Sequence, residues 1–196
     1  MKILEVIQNN ASYEFKLFKD TLNAVRLECD DFMEYARAYG MLYRGTRRLS
    51  GIFQEYPRDD REPVSMYPSI QHKMDNVLRK AGFSALRSNS FFVTGSRDSA
   101  FAYGKVYYVF PKNGFDFTWS ARYYDLYCED KFLSTLDYTE YRQVIQNGKF
   151  YDDNLGAAIK SGHEIYILGE CIFIAESLVE TYSEYFEQWL AGEGYR

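Results

Sequence analysis

Ser90-Phe91-Phe92-Val93-Thr94-Gly95-Ser96, followed by Arg97-Asp98-Ser99-Ala100-Phe101-Ala102-Tyr103-Gly104 and then Val106-Tyr107-Tyr108-Val109-Phe110, is the stretch on which the fold turns. The first apolar run, Ser90 to Thr94, reads as a buried strand bounded by the turn residues Gly95 and Ser96. Asp98 to Tyr103 then reads as a short helix stopped by Gly104. The second run is another strand. Pro111-Lys112-Asn113-Gly114 makes a turn into a third, Phe115-Asp116-Phe117-Thr118-Trp119. The hairpin-length spacing of these last two strands predicts that they pair antiparallel.

Upstream, residues 12–40 have helical periodicity through Phe15, Phe18, Leu22, Val25 and Leu27, continued by Phe32, Tyr35 and Tyr39, with Gly40 as the stop. Met41-Leu42-Tyr43 reads as a short strand running into Arg44-Gly45-Thr46. Residues 47–67 are polar and rich in Arg, Asp and Pro, so they read as loop. Ser69 opens a helix carrying Ile70, Met74, Val77 and Leu78 on one face and ending at Gly82.

Downstream, helical pieces are expected over 121–127, 138–147 and 154–161. Two strands follow, Glu164 to Leu168 and Cys171 to Ile174, and an amphipathic helix runs from Ser177 to Leu190. No internal repeat, low-complexity tract or linker interrupts the chain, so 196 residues read as one domain. Helices 1–40 come first, then a core over 41–174 of short strands with few long βαβ units, then a helical end over 175–196. That pattern predicts an α+β fold of mostly antiparallel strands flanked by helices.

The composition excludes several classes of function. A net charge of −5 argues against a protein whose main task is to grip a phosphate backbone. Three widely spaced cysteines (Cys29, Cys128, Cys171) and two histidines (His72, His163) support neither a metal site nor a disulfide framework. No apolar run approaches the length of a membrane span and no signal-peptide core is present, so a cytoplasmic protein is expected. The aromatic share is 18%, with 19 Tyr, and such rings suit a polar cleft that stacks a flat ligand. Nucleotide-binding glycine loops, HExxH and GxSxG are absent.

What remains is an ordered set. Leu42-Tyr43-Arg44-Gly45 ends the first strand. Thr94-Gly95-Ser96 ends the second, Ala102-Tyr103-Gly104 closes the short helix, and Glu164 opens a late apolar strand. In this order and spacing the chain resembles single-domain mono-ADP-ribosyltransferases of the arginine–serine–glutamate branch, of bacteriophage or bacterial toxin type. Arg61-Glu62-Pro63, the run Arg87 to Thr94, and the run Ala102 to Pro111 add to the likeness, which covers roughly 41–174.

The resemblance implies a split β-sandwich that binds NAD. Arg44 would contact the phosphate and ribose, with Tyr43 and Gly45 beside it. Thr94 or Ser96 would orient a catalytic Glu164, and Phe91 or Tyr103 would stack on nicotinamide. The implied partners are NAD and a macromolecular acceptor, protein or nucleic acid, and a toxin system would add an antitoxin or other regulatory partner.

The sequence departs from the family pattern at two positions. The middle of the Ser-Thr-Ser motif is Gly95, and Gly162 stands two before Glu164, where arginine-modifying members carry Glu or Gln. Glu170 is the alternative catalytic acid. A basic loop with Arg47, Arg48, Arg58 and Arg61 is a candidate surface for nucleic acid. A non-catalytic binding module on the same fold and an RNA 2′-phosphotransferase are the competing functions. The second relies on histidines that are scarce here.

Overall fold

The computed structural model describes residues 2–59, 67–125 and 137–192. Two helices open the chain, α1 (Lys2–Glu28) and α2 (Asp30–Tyr39). The helical pattern expected over 12–40 is therefore broken once, at the fully buried Cys29, whose φ of −128° and ψ of 24° leave the helical region. Asp30 and Asp31 then occupy the first turn of α2, where the helix dipole favours negative charge.

The sheet is built from β1 (Leu42–Thr46), β2 (Ile52–Glu55), β3 (Phe91–Thr94), β4 (Lys105–Pro111), β5 (Asp116–Ser120), β6 (Phe150–Tyr151), β7 (Glu164–Leu168) and β8 (Cys171–Ala175). Between them lie α3 (Pro68–Lys80), α4 (Arg97–Phe101), α5 (Tyr138–Asn147) and α6 (Leu155–Ser161), and α7 (Glu176–Thr181) and α8 (Ser183–Leu190) close the described chain. The protein is α+β, with one eight-stranded antiparallel sheet, order β2-β8-β4-β1-β3-β7-β5-β6, flanked by helices.

Continuity of that sheet rests on one residue pair. β1 pairs with β4 over five positions but with β3 only at Tyr43↔Thr94. The sheet is thus two four-stranded halves, β2-β8-β4-β1 and β3-β7-β5-β6, hinged at that pair. They are folded toward each other. Phe91 of β3 and Phe173 of β8 have ring centroids 5.1 Å apart. Three strand spacings in a flat sheet would separate their backbones by about 14 Å. Phe53 stacks on Phe173 at 4.5 Å and extends the same contact.

This division overturns the expected hairpin. β4 pairs with β1 and β8, whereas β5 pairs with β6 and β7, so the turn at 112–115 carries the chain from one half to the other. The two-residue link Gly169-Glu170 does the same between β7 and β8, and the crossings touch: Lys112 N–H donates to Glu170 O at 2.9 Å. Turn length alone does not distinguish a hairpin from a crossing between packed halves. The expected loop over 47–67 also contains β2, paired with β8 from Ile52↔Ile174 to Glu55↔Cys171. Residues 121–125 are not helical, and the rest of the helix expected at 121–127 lies outside the described residues. The expected C-terminal helix is two, parted at Tyr182.

The larger core joins α1, α2, α6 and α8 to both halves through residues such as Phe18, Phe32, Phe110, Phe173, Ile165 and Trp189. A smaller one packs α3 and α5 over Tyr166 and Phe92. Among the described residues no helix is long and apolar enough to cross a membrane.

Candidate active site

Three of the singled-out segments converge on one transverse row. Tyr43 of β1 faces Thr94 of β3, and Thr94 faces Glu164 of β7. Residues far apart in the chain meet where the two halves part, because β3 is the strand shared by the hinge and by β7.

Arg44 stands one residue past the hinge. Its Nη1 donates to Phe92 O at 2.9 Å, and its guanidinium lies 5.3 Å from the centre of the Phe91 ring. The side chain therefore closes the gap left where β1 stops pairing with β3, taking up a carbonyl that β1 no longer serves. Burial lowers its pKa, and the carboxylates of Glu55 and Glu164 partly oppose that. Among the described residues no carboxylate forms an ion pair with Arg44.

Glu164 is only 17% exposed at its side chain, and it is not held as the resemblance implied. Arg87 Nη1 donates to Glu164 Oε2 at 2.7 Å and to the Tyr166 hydroxyl at 2.9 Å. Burial raises the pKa of Glu164; the Arg87 charge pulls it back down, and the net shift is upward. Burial also works against the Arg87 cation, but Tyr166 and Glu164 outweigh it and keep the guanidinium protonated. The backbone N–H of Glu164 donates to Tyr124 O at 2.8 Å, which pins the start of β7.

The two hydroxyl residues serve the backbone instead. Thr94 Oγ1 donates to Gly162 O at 2.7 Å and accepts from Ser96 N–H at 3.0 Å. Ser96 caps α4, accepting from Ser99 N–H at 3.2 Å. Thr94 thus holds the turn before Glu164 and not its carboxylate. Gly95 is explained by packing, since a Cβ there would stand 1.9 Å from Ile159 O on α6. At Gly45 a Cβ would stand 1.9 Å from Ala100 O, so α4 lies directly against β1.

Among the aromatic candidates, Tyr103 is 61% exposed and its hydroxyl donates to Asp125 Oδ2 at 2.7 Å. Phe91 is 8% exposed, enclosed between Arg44 and Phe173. Tyr43 packs edge-on against Tyr108 at 5.1 Å. Glu170 sits apart from the row, in the exposed crossing turn. It accepts from Gln54 at 2.8 Å and pairs with Lys112 at 3.0 Å, and these hydrogen bonds hold its carboxyl below the usual range. In the basic loop, Arg48 is tied to Glu55 at 2.5 Å and lies over Phe53, while Arg61 falls outside the described residues.

Sequence reasoning missed Arg87. It was visible only as part of a run, and its partners Asp75 and Glu164 are 12 and 77 residues away. A charged residue between Ala85-Leu86 and the apolar strand at Phe91 was the available signal. No protein-family model, curated protein or solved structure matches this chain.

Proposed function

We propose that the protein is an NAD-dependent mono-ADP-ribosyltransferase with a split β-sandwich fold, acting on a macromolecular acceptor. The observation that carries this reading is the row Tyr43, Thr94, Glu164, with Arg44 at the hinge beside it. The row unites the segments that the order of motifs had singled out.

Cleaving the nicotinamide–ribose bond builds oxocarbenium-like positive charge on the ribose. A fixed carboxylate beside the ribose stabilises that charge more in the transition state than in bound substrate. Glu164 suits the role because it is largely buried and anchored, so little reorganisation is needed. Arg44 commits one nitrogen to Phe92 O, and its remaining donors suit a pyrophosphate. Tyr103 offers an exposed ring within the same α4–β1 contact. Glu164 is favoured over Glu170, which lies away from the row, in the exposed crossing turn.

The test is transfer of label from NAD carrying it on the adenylate moiety into host lysate, comparing wild type with Glu164→Gln. Label that requires Glu164 supports the reading. Its removal by protease or by nuclease assigns the acceptor class. Equal labelling by the two proteins refutes it.

A further inference from the structure

Arg87 enters the resemblance only as the first residue of the run Arg87 to Thr94, with no role attached, yet its guanidinium donates to the Glu164 carboxylate at 2.7 Å. We propose that Arg87 is a positioning residue, whose guanidinium holds the Glu164 carboxylate at the hinge in place of the hydroxyl expected from Thr94 or Ser96. The inference rests on the reading of Glu164 given above.

Four features carry it. Arg87 Nη1 reaches both Glu164 Oε2 and the Tyr166 hydroxyl, two residues on one face of β7. Its backbone is fixed in turn by α3: the N–H groups of Arg87 and Ser88 donate to the Asp75 carboxylate at 3.0 and 3.2 Å. Its cation lies over the rings of Phe92 at 4.6 Å and Tyr166 at 5.5 Å, so the side chain has little freedom to swing. Finally, Nε is buried with no hydrogen-bond partner among the described residues. Nη1 is thus the nitrogen through which the side chain holds Glu164.

The two hydroxyls are committed elsewhere, Thr94 to Gly162 O and Ser96 to the cap of α4. Loss of the Ser-Thr-Ser pattern at Gly95 and the presence of Arg87 are then one arrangement. α6 packs where a middle side chain would stand, and the carboxylate is oriented from the α3 side.

The experiment follows Glu164 directly, by carboxyl-detected NMR titration of wild type, Arg87→Met and Arg87→Lys, alongside the pH profile of nicotinamide release from NAD. In Arg87→Met, Glu164 is expected to titrate about one to three pH units higher, because a neighbouring opposite charge shifts a carboxyl by that much. The acid limb of the rate profile should move with it. kcat should fall about tenfold to a hundredfold while KM for NAD holds, as expected for a misplaced catalytic group.

Arg87→Lys keeps the charge but replaces the Nη1 donor, which meets both Glu164 Oε2 and the Tyr166 hydroxyl, with a shorter and more mobile ammonium. It should hold the titration near wild type and still lose kcat. Glu164 titrating at the same pH in wild type and Arg87→Met overturns the proposal. If Arg87→Met does not fold, Arg87→Lys decides: wild-type kcat and an unmoved acid limb overturn it. A wild type that releases no nicotinamide defeats the proposed function instead, while the NMR titration still judges Arg87.

Discussion

Gly95→Ala is the sharpest perturbation of the site that leaves every charged group in place. The added Cβ would stand 1.9 Å from Ile159 O and 2.7 Å from Ile159 C, both backbone atoms that no rotamer change can move. An ordinary C···O contact is about 3.3 Å, so α6 or the end of β3 must shift by ~1.4 Å. α6 cannot give freely, because Leu155, Ala158 and Ile159 are all buried in the main core. Overpacking of this kind costs about 3 kcal/mol, the upper end of its usual range. For a chain of this size that is a fall in Tm of roughly 6–12 °C. The activity loss should exceed the stability loss. α6 leads through Gly162, which accepts from Thr94, directly into Glu164. Thermal unfolding by circular dichroism, with nicotinamide release measured well below Tm, checks both. A Tm within about 2 °C of wild type would show that α6 does not press on Gly95, and the explanation of the missing middle side chain would fall.

Three further outcomes are expected. Arg44→Lys should lower kcat/KM for NAD by about tenfold to a hundredfold, since Arg44 holds Phe92 O and, on the proposed reading, a pyrophosphate with its remaining donors, which a point charge cannot do together; an unchanged value places the phosphates elsewhere. Glu170→Gln should leave nicotinamide release at the wild-type level and Tm nearly unmoved, because Glu170 is exposed and its partners, Gln54 of β2 and Lys112 of the crossing turn, lie away from the row; loss of activity would make Glu170 the catalytic acid. The third concerns pH. On the proposed reading Glu164 acts ionised, and burial raises its pKa, so nicotinamide release should fall with acid through a pKa above the usual carboxylate range. Between the unfolded and folded pKa values the native state holds a proton that the unfolded chain has released. Its contribution to stability therefore declines as pH rises through that window. An acid limb at the pKa of a free glutamate would contradict the burial of Glu164.

The sequence carried the elements better than their assembly. β3, β4, α5, α6, β7 and β8 were legible because each is a clear apolar run or helical pattern with a turn residue at its end. β2 was not, since Ile52-Phe53-Gln54-Glu55 is four residues inside a polar stretch and takes its order from β8. The break at Cys29 carries no Gly or Pro. The expected hairpin failed because pairing depends on the fold of the whole sheet: the turn at 112–115 is short enough for a hairpin, yet it crosses between halves, as the link at 169–170 also does. Of the residues singled out by motif order, Tyr43, Thr94 and Glu164 lie in one row with Arg44 beside it, but how the carboxylate is held was not legible. Thr94 turned to the Gly162 carbonyl and Arg87 took its expected place, a substitution that no local spacing signals.

The most direct measurement of the central claim is nicotinamide release from NAD by the purified protein with host lysate as acceptor source, wild type against Glu164→Gln. The account predicts steady release by wild type and, in the variant, a rate lower by at least about a hundredfold, the scale for removing one preorganised charge-stabilising group. Equal rates in the two proteins, or no release by either, would contradict it.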